Sequence, residues 1–319
     1  MSSAGGIASG PDATDLDAPG ELALRPVAGE VTTRTAVAAA DAAARAAGVR
    51  IRTLTELDDL DAVYRLYDAI WRPDPKNPPV TTELLRALTK AGNYVAGAFD
   101  GAGLVGACVG FFSAPAGTAM HSHVAGVSRA ALGRSVGFAL KLHQRAWAIQ
   151  RGVSEIAWTF DPLVSRNAYF NLAKLAALAD EYLPNFYGDM NDGINGTGDT
   201  DRLLVRWDLH ASGVTAACAG SVRPASAADE TARGAVVALA RSGDGTPVAG
   251  SLGAATLLVA VPPDVETLRG TDPGCAQDWR LAIREVLGGA MADGGAVAGF
   301  DRAGWYIVTR QPASEEDGQ

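Results

Sequence analysis

Residues 132–137 read Leu-Gly-Arg-Ser-Val-Gly and join an apolar strand pattern to a helical pattern over residues 136–151. A turn of this kind at a helix N-terminus is suited to a phosphate, because the first N–H groups of a helix lack partners within it and the helix dipole favours an anion there. Outward from this turn, residues 127–188 read as strand, turn, helix, strand, helix and strand. The stretch therefore predicts a mixed α/β fold with an anion-binding turn.

The composition of the whole chain restricts the class of partner. Its 319 residues carry a formal net charge of −9, with a pI near 5.0, so nucleic acid is disfavoured as a main partner because its phosphates would be repelled. The sequence contains no run of about 18 apolar residues, so no membrane span is predicted. The N-terminal segment lacks the pattern of a secretory signal. The three cysteines are far apart and form no CxxC pair, which argues against a disulfide scaffold or zinc site and favours a cytoplasmic protein.

Local composition and periodicity divide the chain into five parts. Residues 1–33 are predicted to be a disordered tail, and the Ala-rich residues 34–48 a helix. Residues 49–210 read as two helices, a strand meander, a helix, a strand, a helix and two strands. Residues 211–310 show a weaker α+β pattern that is too small to bury two faces alone, so we expect it to pack on the preceding sheet or on another subunit. Residues 311–319 form an acidic tail.

Apolar spacing within residues 49–210 gives the bounds of two elements. Residues 166–178 predict a helix, and residues 182–187 predict a strand.

Several side chains are candidates for acid–base chemistry. His121 and His123 alternate on a strand, and imidazole titrates near neutral pH, so His123 is a candidate base, although a histidine hydrogen-bonded in a structural role is the alternative. Asp161 ends a strand, and Asp189 and Asp192 lie in a Gly-rich loop, where either catalytic or Asx-turn roles are open. Tyr187 is the remaining candidate, since its phenol could act as an acid. The aspartates lack the spacing of a metal loop, so no metal site is predicted.

Three strings carry a resemblance to a known family. Residues 158–163 read WTFDPL, residues 167–175 read NAYFNLAKL, and residues 182–195 read YLPNFYGDMNDGIN. With residues 132–137 they resemble the GNAT acyltransferase superfamily and one branch of it in particular. The family's turn reads R/Q-x-x-G-x-G/A. Here Leu132 and Ser135 depart from that pattern, and only Gly137 matches it.

The resemblance implies a mixed, mostly antiparallel sheet flanked by helices, with the C-terminal α+β portion appended to it. It also implies acetyl-CoA or another acyl-CoA as cofactor. The residues expected to contact that cofactor are Val127, Gly133, Arg134, Ser135, Gly137 and Asn167. The tyrosine that protonates the departing thiolate in many members is replaced by Leu172, so Tyr169 or Tyr187 are the substitutes to consider.

Three functions remain open on the sequence. The first is an N-acyltransferase acting on a small amine or amino-acid-like metabolite, with His123 or an aspartate as base. The second is the same scaffold used for a CoA-independent reaction of a small molecule, with acid–base catalysis by His123, Asp161 and Asp189. The third is a non-catalytic partner subunit, since the Ala-rich helix and the C-terminal unit offer surfaces for a homodimer or another subunit.

Overall fold

The protein is described by a computed structural model over residues 28–73, 78–101, 103–114, 117–188 and 198–310. The first part of the described chain, which runs to Asp208, has five helices packed around one sheet. Its helices are α1 (Ala28–Ala46), α2 (Leu57–Trp71), α3 (Thr82–Lys90), α4 (Val136–Ile149) and α5, whose first turn Ser165–Ala168 continues as a π-helical segment Tyr169–Lys174. Its strands are β1 (Arg50–Thr53), β2 (Tyr94–Asp100), β3 (Gly103–Phe112), β4 (Ala119–Val127), β5 (Glu155–Phe160), β6 (Leu178–Leu183) and β7 (Arg202–Asp208).

The first sheet has the strand order β1-β2-β3-β4-β5-β7-β6. Neighbours pair antiparallel except β4 and β5, which run parallel. Alternate residues of β2 face opposite sides, as strand geometry requires: Ala96 joins the core under α4, whereas Val95 joins the core under α2 and α3. The predicted mixed, mostly antiparallel sheet flanked by helices is confirmed.

The parallel pair β4 and β5 separates after three residue pairs. Pairing is confined to Ala119 with Glu155, Met120 with Ile156 and His121 with Ala157. Beyond His121, β4 continues beside β3 with a register shift between Val109 and Gly110, while β5 continues beside β7. A bulge of this kind bends its strand away from the regular ladder. The two strands therefore diverge in the middle of the sheet, and we call this gap in the strand pairing the fork.

Helix α1 is longer than the sequence predicted and packs on α4. It begins at Ala28 rather than at residue 34, and its Ala36 and Ala40 are buried in the same core as Leu140. Small alanine side chains let two helices approach closely, which is the reason that the Ala-rich segment docks.

Both boundaries predicted near α5 are wrong. The helix ends at Lys174 because Ala176 takes a left-handed conformation with φ 52°, and β6 then starts at Leu178. The strand ends at Leu183 rather than at residue 187, since Asn185 also turns left-handed and accepts a hydrogen bond from the Thr200 backbone N–H at 3.1 Å. Apolar spacing alone does not reveal such turns.

The second part builds its own sheet, with the order β11-β12-β10-β8-β9. Its helices are α6 (Ser212–Cys218), α7 (Ala227–Ala232), α8 (Val265–Thr271) and α9, whose segment Pro273–Ile283 continues through a π-helical turn, Arg284–Gly288, into Gly289–Ala292. Its strands are β8 (Val236–Arg241), β9 (Pro247–Ala249), β10 (Thr256–Ala260), β11 (Ala296–Asp301) and β12 (Trp305–Thr309). Sequence analysis missed β8 and β9, because the Ala-, Gly- and Ser-rich segment around them shows little alternation.

The two sheets share a continuous core. A group of buried polar side chains, which we call the seam, also joins them. Trp279 and Phe300 of the second part lie in one hydrophobic cluster with Leu172 and Leu203 of the first. At the seam, the Asp161 carboxylate accepts hydrogen bonds from Arg269 and, at 2.8 Å, from Arg280. The C-terminal portion therefore packs on the GNAT-like sheet, as one of the two sequence-based alternatives expected.

A second cluster of seam contacts lies beside the first. Arg284 of α9 donates to Asp201 at 2.6 Å, and Asp201 also accepts a hydrogen bond from the Tyr182 hydroxyl at 2.7 Å. The Tyr182 ring lies against Gly288, where a Cβ would come within 3.2 Å of it, so the glycine permits this close approach. The Tyr306 hydroxyl donates to the Pro162 carbonyl at 2.7 Å.

Replacing Asp161 by asparagine tests the seam. Asp161→Asn keeps the side-chain shape and an oxygen for the Leu163 backbone N–H, which donates to Asp161 at 3.0 Å. Because Arg280 is buried, it would lose its counter-charge, and we expect the free energy of unfolding to fall by roughly 3 kcal/mol. Urea denaturation near pH 7 measures this. Asp278→Asn, on the exposed side of α9, is the matched control, and an equal loss in both variants would contradict the role given to Asp161.

Candidate functional site

A buried lysine bridges the fork from one side of the sheet. Lys141 projects from α4, and its Nζ donates to Ser122 Oγ of β4 at 2.8 Å and to Gln144 Oε1 at 3.1 Å. The same ammonium lies 3.6 Å from the ring centroid of Trp158 on β5. Ser122 and Trp158 are the first residues beyond the last β4–β5 pair, so Lys141 joins the two strands where they separate.

Burial changes the acid–base behaviour of this lysine. The Lys141 side chain is 4% exposed, and the cost of holding a charge away from water lowers the pKa of Lys141 to about 8. Cys108, whose Sγ lies 3.9 Å from Ser122 Oγ, opposes this shift through its own charge. Lys141 can therefore exchange a proton near neutral pH, which an exposed lysine does not do readily.

Two histidines occupy the opposite face of the fork. The rings of His121 and His123 both lie beside Phe111, with centroids 5.3 and 5.9 Å from it. Burial, the neighbouring His123 and Lys141 together lower the pKa of His121 to about 4, so His121 is neutral at physiological pH. His123 is exposed, and its Nε2 lies 3.4 Å from the Pro79 carbonyl. A carbonyl only accepts, so Nε2 carries the hydrogen and Nδ1 is left to accept a proton.

Tyr187 lies at the open end of β5. Its hydroxyl is 3.0 Å from Thr159 Oγ1, and the Arg202 guanidinium lies 5.2 Å from its ring centroid. Because Trp158 faces α4, strand alternation places Thr159 on the side of the histidines. The structure thus brings His123 and Tyr187 to the same face of the fork.

The turn before α4 has the backbone of an anion-binding turn. Gly133 and Ser135 both adopt left-handed conformations, with φ of 79° and 62°. Ser135 is the N-cap of α4, yet its side chain makes no capping hydrogen bond, which leaves the first N–H groups of the helix for another acceptor. Gly137 lies against Val127, since a Cβ there would be 3.8 Å from the Val127 side chain.

Arg134 points away from this turn. It forms an ion pair with Asp100 at 2.6 Å and donates to the backbone carbonyls of Ala47 and Gly48, which follow α1. Carbonyls at a helix C-terminus attract cations. Arg134 therefore binds the end of α1 and not the phosphate site that the sequence predicted for it. The predicted contribution of Arg134 to an anion site is therefore corrected to a structural one.

A surface cleft of about 270 Å³ opens beside the turn. It lies between α4, α5 and the segment after α6. Residues from all three line it: Ser135, Phe138, Tyr169, Lys174, Gly220 and Val222. Asn167 lies half-buried at the start of α5, two residues before Tyr169, whereas Leu172 is buried in the core. The cleft is on the α4 side of the sheet.

The predicted acid–base role of Asp161 does not fit its surroundings. Its side chain is 7% exposed, and Arg280 and Arg269 hold the pKa of this carboxyl well below its usual range despite burial, which acts the other way. A carboxylate stabilised in this way accepts a proton poorly. Asp189 and Asp192 lie outside the described residues.

Sequence reasoning missed Lys141 altogether. The helix pattern over residues 136–151 places Leu140 and Gln144 on the sheet-facing side, and Lys141 lies between them. A charged residue within an apolar stripe was the available signal, but only the fork explains why the sheet can accommodate it.

Comparison with family models gives a match. Residues 32–169 match the family model described as an acetyltransferase (GNAT) domain. The match covers fewer than half of the residues, and the first sheet with its helices has a GNAT-like fold. No protein of curated function matches the chain. Within the described residues, moreover, no helix has the length and apolarity to cross a membrane.

Several solved structures align with about half of the chain. The N-acetyltransferase of Staphylococcus aureus Mu50 is 17% identical over 50% of this chain and 98% of its own, with a TM-score of 0.41. The ribosomal-protein-S18-alanine N-acetyltransferase of Escherichia coli is 15% identical over 52% and 96%, with a TM-score of 0.40. A Salmonella typhimurium protein solved with its cofactor acetyl-CoA is 16% identical over 52% and 98%, with a TM-score of 0.42.

The shifted pKa of Lys141 predicts a pH-dependent stability. The pKa falls from 10.5 to about 8 on folding, so the unfolded chain binds more protons between these values and stability rises with pH through that window. The cost of the buried charge, on the order of 3 kcal/mol, is complete below about pH 8 and is relieved above the unfolded pKa.

Urea unfolding at about pH 7.5 and about pH 10 measures this effect. Lys141→Met removes the charge, so we expect the variant to be more stable than the natural protein at pH 7.5 and the difference to shrink at pH 10. Lys90→Met, at the exposed end of α3, is the matched control. An unchanged difference at both pH values would show that Lys141 does not titrate in this window.

Proposed function

We propose that the protein is an acyl-CoA-dependent N-acyltransferase that acts on a small amine. The main support for this proposal is the fork. β4 and β5 pair over three residues only and then diverge in the middle of the sheet. An uncapped helix N-terminus with two left-handed turn residues lies beside the gap on one face, and His123 and Tyr187 lie on the other. A donor could enter from one face and an acceptor from the other.

The α4 side has the features that acyl-CoA requires. The turn at Gly133 and Ser135 would hold phosphate oxygens with backbone N–H groups, and Lys174 at the rim of the cleft adds a positive charge. Phe138 and Tyr169 give the cleft its apolar and aromatic lining. When bound, acyl-CoA supplies an activated acyl group as a thioester. These residues fit the group, although Leu132 is exposed where the family has arginine or glutamine.

The opposite face has a group suited to accept a proton from the acceptor amine. His123 is exposed, and the hydrogen bond of its Nε2 to the Pro79 carbonyl orients the ring with Nδ1 free. His121, with its lowered pKa, adds no positive charge that would repel an ammonium substrate. The geometry favours His123 over Asp161 as the base. Val127 and the β4 backbone before it supply N–H groups along the gap.

The same fork supports a second candidate. Lys141 fills the gap between Ser122 and Trp158, and Leu132 offers no charge to a pyrophosphate. A CoA-independent reaction of a small molecule at the histidine face would use the scaffold without a thioester. Absence of CoA binding together with an open histidine face would favour this second function. A partner-subunit role would be favoured if neither ligand class binds.

Isothermal titration of acetyl-CoA and free CoA tests the primary proposal. We expect micromolar binding to the natural protein. Ala173→Trp would fill the cleft and weaken binding at least roughly tenfold, whereas Ser135→Gly would relieve a left-handed non-glycine residue and strengthen it. Ala87→Trp, on exposed α3 across the sheet, is the matched control. No binding at millimolar acetyl-CoA would overturn the proposal.

Replacing His123 tests the proposed base. His123→Gln keeps a polar side chain but cannot accept the proton, so acetyl transfer to a panel of small amines should fall by about 10²–10⁴-fold. The affinity for acetyl-CoA should stay unchanged, because His123 lies on the face away from the cleft. His210→Gln, at an exposed position after β7, serves as the control. Full activity in His123→Gln would assign the base elsewhere.

A further inference from the structure

We propose that Lys141 is the proton donor to the thiol sulfur that leaves during acyl transfer. The inference rests on the proposed function, since it needs a thioester in the fork. Lys141 lies at the point where β4 and β5 separate, and it contacts both strands through Ser122 and Trp158. Lys141 would therefore lie next to the reacting sulfur if the thioester were held between the two strands.

The hydrogen bonds of Lys141 leave one proton for a ligand. An ammonium has three N–H groups. Ser122 Oγ and Gln144 Oε1 accept two of them, and the third faces the Trp158 ring. A ring face attracts a cation but is a weaker acceptor than a sulfur anion, so this proton is the one available for transfer.

A second buried donor, next to Lys141, has no acceptor within the described part of the protein. Gln144 is fully buried, and its Nε2 has no hydrogen-bond partner among the described residues. The group lies beside Gly110, where a Cβ would come within 3.0 Å of it. Buried donors without acceptors are rare, because each one costs the free energy of a lost hydrogen bond. Two adjacent donors, one unpaired, suit a ligand carrying electron-rich atoms.

Among the described residues, neither of the two tyrosines considered as acids contacts both strands of the fork. Leu172 stands where many members of the resembled family have the acid, and it is buried and apolar. Tyr187 is on the opposite face and shares a hydrogen bond with Thr159, while Tyr169 lines the cleft. Lys141 is the ionisable group that contacts both strands at the fork.

The step balances as follows. The acceptor nitrogen attacks the acyl carbon, a C–N bond forms, the C–S bond breaks and its electron pair goes to sulfur. Lys141 gives one proton to that sulfur and becomes neutral, His123 takes the proton released by nitrogen, and solvent returns both groups to their starting states. The lowered pKa of Lys141, about 8, makes it a better proton donor than an ordinary lysine.

The experiment measures the ionisation of the thiol of bound free CoA. A thiolate absorbs near 240 nm, which allows titration of the complex without turnover. An ammonium beside the sulfur stabilises the thiolate, so bound CoA in the natural protein should ionise at a pH at least about one unit lower than in Lys141→Met, a tenfold change in thiolate fraction. Lys90→Met should behave like the natural protein.

The outcomes separate the two proposals. Titration calorimetry first establishes that acetyl-CoA binds; no binding to the natural protein overturns the acyltransferase function and this inference with it. Binding with the same thiol ionisation in the natural protein and Lys141→Met overturns the role of Lys141 alone. Lys141→Gln, which keeps a polar group, is the second variant. If both variants lose CoA binding, Lys141 holds the ligand instead of donating a proton, and the inference is wrong.

Discussion

The buried Asp161 carboxylate is the interaction on which the rest of the structure depends. It stands at the end of β5, where one arm of the fork finishes, and Arg269 and Arg280 reach it from helices of the second part. A buried charge without a partner is far less favourable than a paired one, so the carboxylate can stay buried only while the arginines of the second part reach it. The second sheet is thereby fixed against the open end of the fork.

The fork in turn depends on what surrounds it. β5 is held by β7 along its length, and β4 is held by β3, so neither strand collapses onto the other after their three shared pairs. The core under α4 does not close the gap with apolar side chains. It places Lys141 and Gln144 there, and the Nε2 of Gln144 has no hydrogen-bond partner among the described residues. Selection for stability alone would favour apolar side chains at these positions.

The site residues differ in how far the sequence could predict them. Gly133 and Ser135 were identified from a local pattern, and the backbone angles depend mostly on local chemistry. Arg134 and Asp161 were assigned functional roles, but each is captured by an element distant in the chain, α1 in one case and α9 in the other. Lys141 was overlooked because a lysine within a helix is ordinary until the strands beneath it are known to separate.

The sequence by itself determined the mixed order of helices and strands, the phosphate-type turn and the presence of a second α+β unit, whereas the GNAT-like fold was implied by the resemblance of its motifs. The first three features follow from periodicity, turn chemistry and local motifs, which act over a few residues. Tertiary structure alone decided which charges are paired and which face the fork. Ion pairs such as Asp161 with Arg280 join residues more than a hundred positions apart, and the pKa of Lys141 depends on burial under strands from elsewhere in the chain. Burial and charge pairing are properties of the packed chain, so no local pattern could have revealed them.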